Sequence, residues 1–266
     1  MTQEPIPVLD VERRGPVAVA RFANAERMNS FDVPTLKALR AQLEALDADA
    51  DVRGIVLTGE GRVFCAGADL HAFRKNIEAG TIATFVRDAT AEVHAIVQLF
   101  QRSATVVIAA LNGVAAGGGL GLALAADARV AGPGGKLAAS YFRLGLAPDG
   151  GATWLLPRLV GPQAARCFFF DNGTWDADEA HSAGAVDLVA PDDEAMLDAA
   201  VELAQQWGAW SPASREGAKR LLAASGANTL GEQLDLERNT IAASAATADF
   251  AEGVLAFLEK RPPRFS

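Results

Sequence analysis

Along the first half of the chain, short apolar runs alternate with longer stretches in which apolar residues recur every three or four positions. Val17, Ala18, Val19, Ala20, Arg21 and Phe22 follow the turn signal Arg14-Gly15-Pro16 and predict a strand. Ser30 or Asp32 then caps a helix, with Pro34 in its first turn, where a missing N–H costs little. Leu36, Leu39, Leu43 and Leu46 are spaced by three, four and three, which draws one apolar stripe along that helix. Ile55-Val56-Leu57 is a second strand, ending in Thr58-Gly59-Glu60-Gly61. The pattern then repeats: a helix over about 82–100, a buried strand over 106–111, a glycine-rich turn into a helix ending near Ala126, and a strand at Ala128-Arg129-Val130. Strands that are apolar on both faces suit a parallel sheet covered by helices. Strand, crossover and strand again build right-handed βα units, so the predicted class is α/β. From about Ala177 onward the chain reads as mostly helical, apart from Val186-Asp187-Leu188-Val189. Trp210-Ser211-Pro212 breaks one helix before the next, which divides the chain into a core of residues 1–207 and a helical C-terminal region of residues 208–266.

Composition narrows this picture. A chain of 266 residues, half of them hydrophobic, has enough material for one large domain or a domain with a smaller appendage. The net charge of −9, without any run of Lys and Arg, argues against a nucleic-acid partner. An anionic group can still be held by a few placed cations and backbone amides. Two cysteines, Cys65 and Cys167, make no disulfide framework, so a reducing cytoplasm is the expected compartment. The first ten residues lack a basic stretch followed by an apolar core, and no signal peptide is expected. Residues 104–126 are apolar enough to raise the question of a membrane. Asn112 and five glycines interrupt them, and a βα unit explains them better, so no membrane partner is expected. His71, His94 and His181 are scattered and form no metal-ligand spacing with the cysteines, so no metal is expected. No G-x-S-x-G elbow is present.

Two loops follow the C-terminal ends of predicted strands, where ligands bind in open α/β sheets. The first is Phe64-Cys65-Ala66-Gly67-Ala68-Asp69-Leu70; the second is Asn112-Gly113-Val114-Ala115-Ala116-Gly117-Gly118-Gly119-Leu120. Small residues let a substrate approach the backbone, and free N–H groups can then donate to it. The second loop opens a helix, whose N-terminus favours developing negative charge. These glycines also suit tight turns and helix–sheet packing. They match neither a P-loop nor a dinucleotide fingerprint, since no Gly-Lys-Ser/Thr follows and Leu122 stands where the last small residue belongs.

Gly61 through Leu70 is similar to the first signature of the enoyl-CoA hydratase/isomerase (crotonase) superfamily, and Ala110-Leu111-Asn112-Gly113 through Gly119 resembles the second. Asn24-Ala25-Glu26-Arg27-Met28-Asn29-Ser30 resembles the segment where substrate enters, with Met-Asn-Ser where Leu-Asn-Ala is usual. The tail from Glu252 to Arg261 also matches. The resemblance runs from about Val8 and implies a crotonase fold of repeated ββα units with a helical, trimerising C-terminal region. It further implies an acyl-CoA substrate, with coenzyme A carried as part of the thioester and no separate cofactor, and a homotrimer or dimer of trimers.

Residue by residue, the resemblance implies that the backbone N–H groups of Ala68 and Gly118 grip the thioester oxygen. It puts Ala66, Ala68, Asp69 and Leu70 along the pantetheine and ADP portion of CoA and makes Arg27 a candidate for a phosphate. Phe257 and Lys260 would reach the adenine end from a neighbouring subunit; Lys260 and Arg261 equally suit a solvated basic helix end. Two departures bear on the reaction. Hydratases of the family use two glutamates, and the corresponding positions here hold Gly121 and Tyr141. Instead Asp149, in Gly145-Leu146-Ala147-Pro148-Asp149-Gly150-Gly151-Ala152-Thr153-Trp154, resembles the single acid/base of the branch linked to ring-epoxidised phenylacetyl-CoA. Asp is also common in a Pro-Asp-Gly turn. The expected activity is double-bond isomerisation through an enolate. A hydratase with a displaced acid, an acyl-CoA-binding protein without catalysis, and a dehalogenase or thioesterase using the Asp covalently are the alternatives.

Overall fold

The apolar runs of the first half become neighbouring strands of one sheet. A computed structural model describes residues 8–266; the first seven, which carry most of the signal-peptide reading, lie outside the described residues. Strands β1 (Leu9–Arg14) and β2 (Val17–Phe22) form a hairpin about Gly15. Helix α1 (Val33–Ala48) follows, capped by Asp32 and not Ser30: the Asp32 carboxylate accepts from the Thr35 N–H. Leu36, Leu39 and Leu43 are its buried stripe. Then come β3 (Gly54–Gly59), α2 (Leu70–Glu78), α3 (Ile82–Arg102), β4 (Val106–Leu111), β5 (Val114–Ala116), α4 (Gly118–Ala125), β6 (Ala128–Ala131) and β7 (Lys136–Ala138). The remainder is α5 (Ala152–Val160), α6 (Pro162–Phe170), β8 (Thr174–Asp176), α7 (Ala177–Ala183), β9 (Leu188–Val189), α8 (Asp193–Gly208), α9 (Pro212–Ser225), α10 (Leu230–Ala245) and α11 (Ala248–Glu259).

The main sheet has the order β1-β2-β3-β4-β6-β9 and is parallel except for the β1–β2 hairpin. Strand alternation sends Val17, Val19, Val56, Val106, Ile108 and Val130 to one face, against Met196, Ala200 and Ala204 of α8. Ala18, Ala20, Ile55, Leu57, Val107 and Ala109 point to the other face and the larger core with α1, α3 and α4. Both faces are thus covered, as the unbroken apolar runs require. A second small sheet, β5-β7-β8, lies beyond the ends of the main strands. The repeating unit is ββα: β1-β2-α1, β4-β5-α4 and β6-β7-α5. After β3 the second strand shrinks to one bridge, Cys65 to Ala115.

The apolar segment 104–126 is β4, β5 and the wholly buried α4, and among the described residues no single helix is long and apolar enough to cross a membrane. Helices α5 and α6, and the three-residue strands β5, β7 and β8, go beyond the sequence pattern. Helix α8 ends at Gly208 and α9 begins at Pro212, so the break takes in Trp210 and Ser211 of the expected segment, and Pro212 opens the next helix. Helix α9 is fastened to the core by Lys219, which donates to Phe100 O (3.1 Å) and Thr105 O (3.0 Å) and pairs with Asp127 at 2.7 Å.

Candidate active site

The two loops meet backbone to backbone. Cys65 N donates to Val114 O (3.1 Å) and Ala116 N to Cys65 O (2.9 Å), which aligns the loop after β3 with β5. Gly67, at φ +85°, packs so tightly that a Cβ there would lie 2.8 Å from Ala116 O and 3.1 Å from Gly118 N. Gly119 is equally constrained, because its Cβ would come within 2.4 Å of Cys65 O. Two buried amides hold the first loop in place. Asn29 Nδ2 donates to Glu60 O (3.0 Å) and Val63 O (2.7 Å). Asn112 accepts from Gly59 N (2.9 Å) at Oδ1 and donates from Nδ2 to Gly61 O (2.9 Å).

This join leaves two N–H groups free. Phe31 bridges the first loop through Gly67 O and Asp69 N and passes over Ala68, while Gly118 is the first residue of α4. Among the described residues neither Ala68 N nor Gly118 N has an acceptor within the protein. Both residues line a cavity of about 980 Å³ that also takes in Arg27, Ala66, Asp69, Leu70, Tyr141 and Asp149. The sequence-predicted candidates of the two loops and of the Pro148-Asp149 turn are therefore brought together. Phe257 and Lys260 are not: they lie at the exposed end of α11, where a contact of the kind expected would have to come from a different subunit.

Three carboxylates line the cavity, and their surroundings differ. Glu26 is exposed in the 3₁₀ turn Ala25–Arg27. Asp69 is buried, caps α2 by accepting from His71 N, and is paired with Arg27 at 2.9 Å. Arg27 is in turn tethered by Asp69, while its side chain remains 64% exposed. Neither Glu26 nor Asp149 is paired with a cation among the described residues, but Asp149 is partly buried where Glu26 is exposed. The Asp149 backbone closes a turn, with Ala152 N donating to its carbonyl (3.1 Å), so the Pro-Asp-Gly reading holds for the main chain. The side chain does something else: Oδ2 accepts from the Thr90 hydroxyl at 3.0 Å, and the carboxylate faces the cavity.

Tyr141 is buried beside Asp149, and its hydroxyl donates to Gly117 O at 2.8 Å. Burial, and then the Asp149 charge, push this phenol above its ordinary range, so it stays protonated. Gly121, the other position where hydratases carry glutamate, has no space for a side chain: a Cβ there would sit 2.5 Å from Gly150 O. Sequence reasoning missed Thr90, whose partner is 59 residues away and which reads only as a polar residue within the α3 pattern.

The family model described as enoyl-CoA hydratase/isomerase matches residues 12–266. The chain is 36% identical over 242 residues to 1,2-epoxyphenylacetyl-CoA isomerase of Escherichia coli K12, covering 91% of each protein. It is 34% identical over 261 residues to the mitochondrial methylglutaconyl-CoA hydratase of Rattus norvegicus, covering 97% of this chain and 81% of the relative. Among solved structures, an enoyl-CoA hydratase from Polaromonas sp. JS666 superposes with a TM-score of 0.89 at 31% identity, over 97% of this chain and 99% of that one. The ββα repeat and two-sheet arrangement are those of the crotonase fold. With the family signatures on the two loops that meet at the cavity, the chain is a member of the enoyl-CoA hydratase/isomerase family of acyl-CoA enzymes.

Proposed function

We propose that this enzyme moves the double bond of an enoyl-CoA through a thioester enolate, with Asp149 as its one acid/base. The observation that carries this reading is the combination at the cavity: two free N–H groups, at Ala68 and Gly118, and a partly buried carboxylate, Asp149, aimed by Thr90 and held by no cation among the described residues. Asp149 removes a proton from C2 of a 3-enoyl thioester. The C–H electron pair becomes a C1–C2 double bond, and the thioester carbonyl pair moves onto oxygen. Ala68 N–H and Gly118 N–H stabilise that oxygen, a role in which each donor is worth about 10²–10³-fold in rate. The charge then returns, C2–C3 becomes the double bond, and the same carboxyl group delivers the proton to C4. Thr90 keeps the carboxylate aimed into the cavity.

The similarity to a protein named 1,2-epoxyphenylacetyl-CoA isomerase supports this chemistry. Hydration is the second reading, because several relatives are named hydratases. Water activation by paired carboxylates finds no support at the two positions involved: Gly121 has no side chain and Tyr141 holds its proton. CoA would enter past Arg27, which offers a tethered guanidinium to a phosphate. The exposed apolar side chains of α9 to α11, among them Leu222, Ile241, Phe257 and Leu258, support assembly as a homo-oligomer through the C-terminal region. Exchange of the C2 protons of a saturated acyl-CoA in D₂O tests enolate formation. The native enzyme is expected to catalyse exchange, and Asp149→Asn to abolish it while CoA binding persists.

A further inference from the structure

We infer that Tyr141 is a positioning residue that locks the Gly117–Gly118 peptide and the Asp149 backbone into one frame, setting the aim and strength of the Gly118 N–H donor. The inference rests on the reading of Gly118 as a thioester donor. Gly117 O and Gly118 N–H are the two ends of a single planar peptide group, so whatever fixes the carbonyl fixes the direction of the N–H. Gly117 O accepts three hydrogen bonds: from the Tyr141 hydroxyl (2.8 Å), Leu120 N (3.0 Å) and Gly121 N (3.3 Å). The two backbone donors come from the helix that this peptide begins, and Tyr141 is the external anchor. Donation to the carbonyl end also polarises the N–H end, because hydrogen bonds in series reinforce one another.

The peptide needs such an anchor. Gly117 sits at φ +52°, ψ −127°, a conformation open to glycine, with glycines on its C-terminal side. The acid/base turn has the same weakness: Asp149 is followed by Gly150 at φ +60° and Gly151 at φ +74°. The Tyr141 hydroxyl reaches this turn too, with Asp149 O at 3.4 Å as the longer branch of its donation. One proton therefore ties together two loops that glycine leaves free to move. The phenol itself is held firmly. Its ring is buried, packs against Phe169 with centroids 6.5 Å apart, and its backbone carbonyl accepts from Leu144 N and Leu146 N. Because that proton is committed to carbonyl oxygens, Tyr141 fills the place of a hydratase glutamate without doing acid/base work.

Tyr141 is the chain's only tyrosine, so biosynthetic replacement of tyrosine by 3-fluorotyrosine alters this one side chain. Fluorination acidifies a phenol and strengthens its donation without changing its shape greatly. The probe is a saturated acyl-CoA carrying ¹³C at the thioester carbonyl, read by isotope-edited infrared spectroscopy in the bound state. The expected order of carbonyl stretching frequency is fluorotyrosine enzyme below native, and native below Tyr141→Phe. With 3-enoyl-CoA, Tyr141→Phe should lose roughly tenfold in kcat, less than the about 10²–10³-fold for deleting an oxyanion donor itself, with KM and the Kd for CoA changed less than twofold. The same stretching frequency in all three proteins overturns the inference, and the fluorotyrosine form decides the matter should Tyr141→Phe not fold. If Asp149→Asn retains turnover while the graded carbonyl shift persists, the isomerase reading falls and the role of Tyr141 stands.

Discussion

The Thr90 hydroxyl and Asp149 Oδ2 are joined by a 3.0 Å hydrogen bond that ties the middle of α3 to the turn before α5. That single bond decides which way the carboxylate points. Oδ1 is left without a protein partner among the described residues, and it is the oxygen that can take a proton from substrate. Thr90→Val keeps the shape and deletes the donor. It is expected to lower kcat by about tenfold with little change in KM, since misaligned proton transfer forfeits part of an effect worth about 10²–10⁴-fold. Thr90→Ser should recover most of the loss. Steady-state kinetics on both variants tests this, and unchanged kcat in Thr90→Val would count against the geometry.

Restoring a hydratase-type residue at position 121 should not restore a hydratase. The Cβ of any side chain there meets the Gly150 carbonyl oxygen at 2.5 Å and its Cα at 2.8 Å, both main-chain atoms that cannot swing aside. Gly121→Glu is expected to destabilise the fold by about 2 kcal/mol or more, as overpacking does, and to displace the Asp149 turn. Thermal denaturation gives the first effect. An assay for 3-hydroxyacyl-CoA gives the second, with no hydration gained.

Asn112 is a structural keystone of the first loop. Its amide serves Gly59 N and Gly61 O at 2.9 Å each, and Thr58 Oγ1 at 3.4 Å, in a buried setting. Asn112→Ala leaves the buried Gly59 N–H without its partner and should cost about 1–3 kcal/mol in urea unfolding, the worth of one unmet buried group, while the exposed Gly61 carbonyl can turn to water. Asn112→Asp keeps the acceptor and should fall between the two.

The two cysteines are free and differ sharply in exposure. Cys65 is fully buried, and burial pushes its thiol up to about 12, with the Gly67 N–H opposing. Cys167 is exposed. A thiol reagent at mild alkaline pH should therefore modify one cysteine in the native protein and two after denaturation. The folded-state value lies above that of the unfolded chain, so the neutral thiol favours the fold below the ordinary thiol range. That contribution is lost as pH rises toward about 12. Cys65→Ser should flatten this part of the stability–pH curve.

The strands β2, β3 and β4 were legible because each is a run apolar on both faces, and the stripe of α1 because three leucines stay buried at helical spacing. Helix α2 escaped notice because it is only nine residues long: Leu70, Phe73 and Ile77 stand at helical spacing, but two turns show little of the period and none of its residues is fully buried. Strands β5, β7 and β8 have three residues each, too short for any period to show. Pro157 lies inside α5 and hid it, as proline within a helical pattern reads as a stop. In the cavity, the glycine loops and Asp149 were readable from local motifs. The Thr90–Asp149 and Tyr141–Gly117 bonds were not, because they join residues 59 and 24 positions apart and depend on the three-dimensional packing of α3 and the 140s loop.

The most direct test of the proposed chemistry is product analysis after paired 2-enoyl-CoA and 3-enoyl-CoA substrates are offered to native enzyme and to Asp149→Asn. Conversion of 3-enoyl-CoA to 2-enoyl-CoA, lost by about 10²–10⁴-fold in the variant while its Kd for CoA is unchanged, is the predicted result. Formation of 3-hydroxyacyl-CoA from 2-enoyl-CoA at the same rate by both proteins would contradict it and reduce Asp149 to a turn residue.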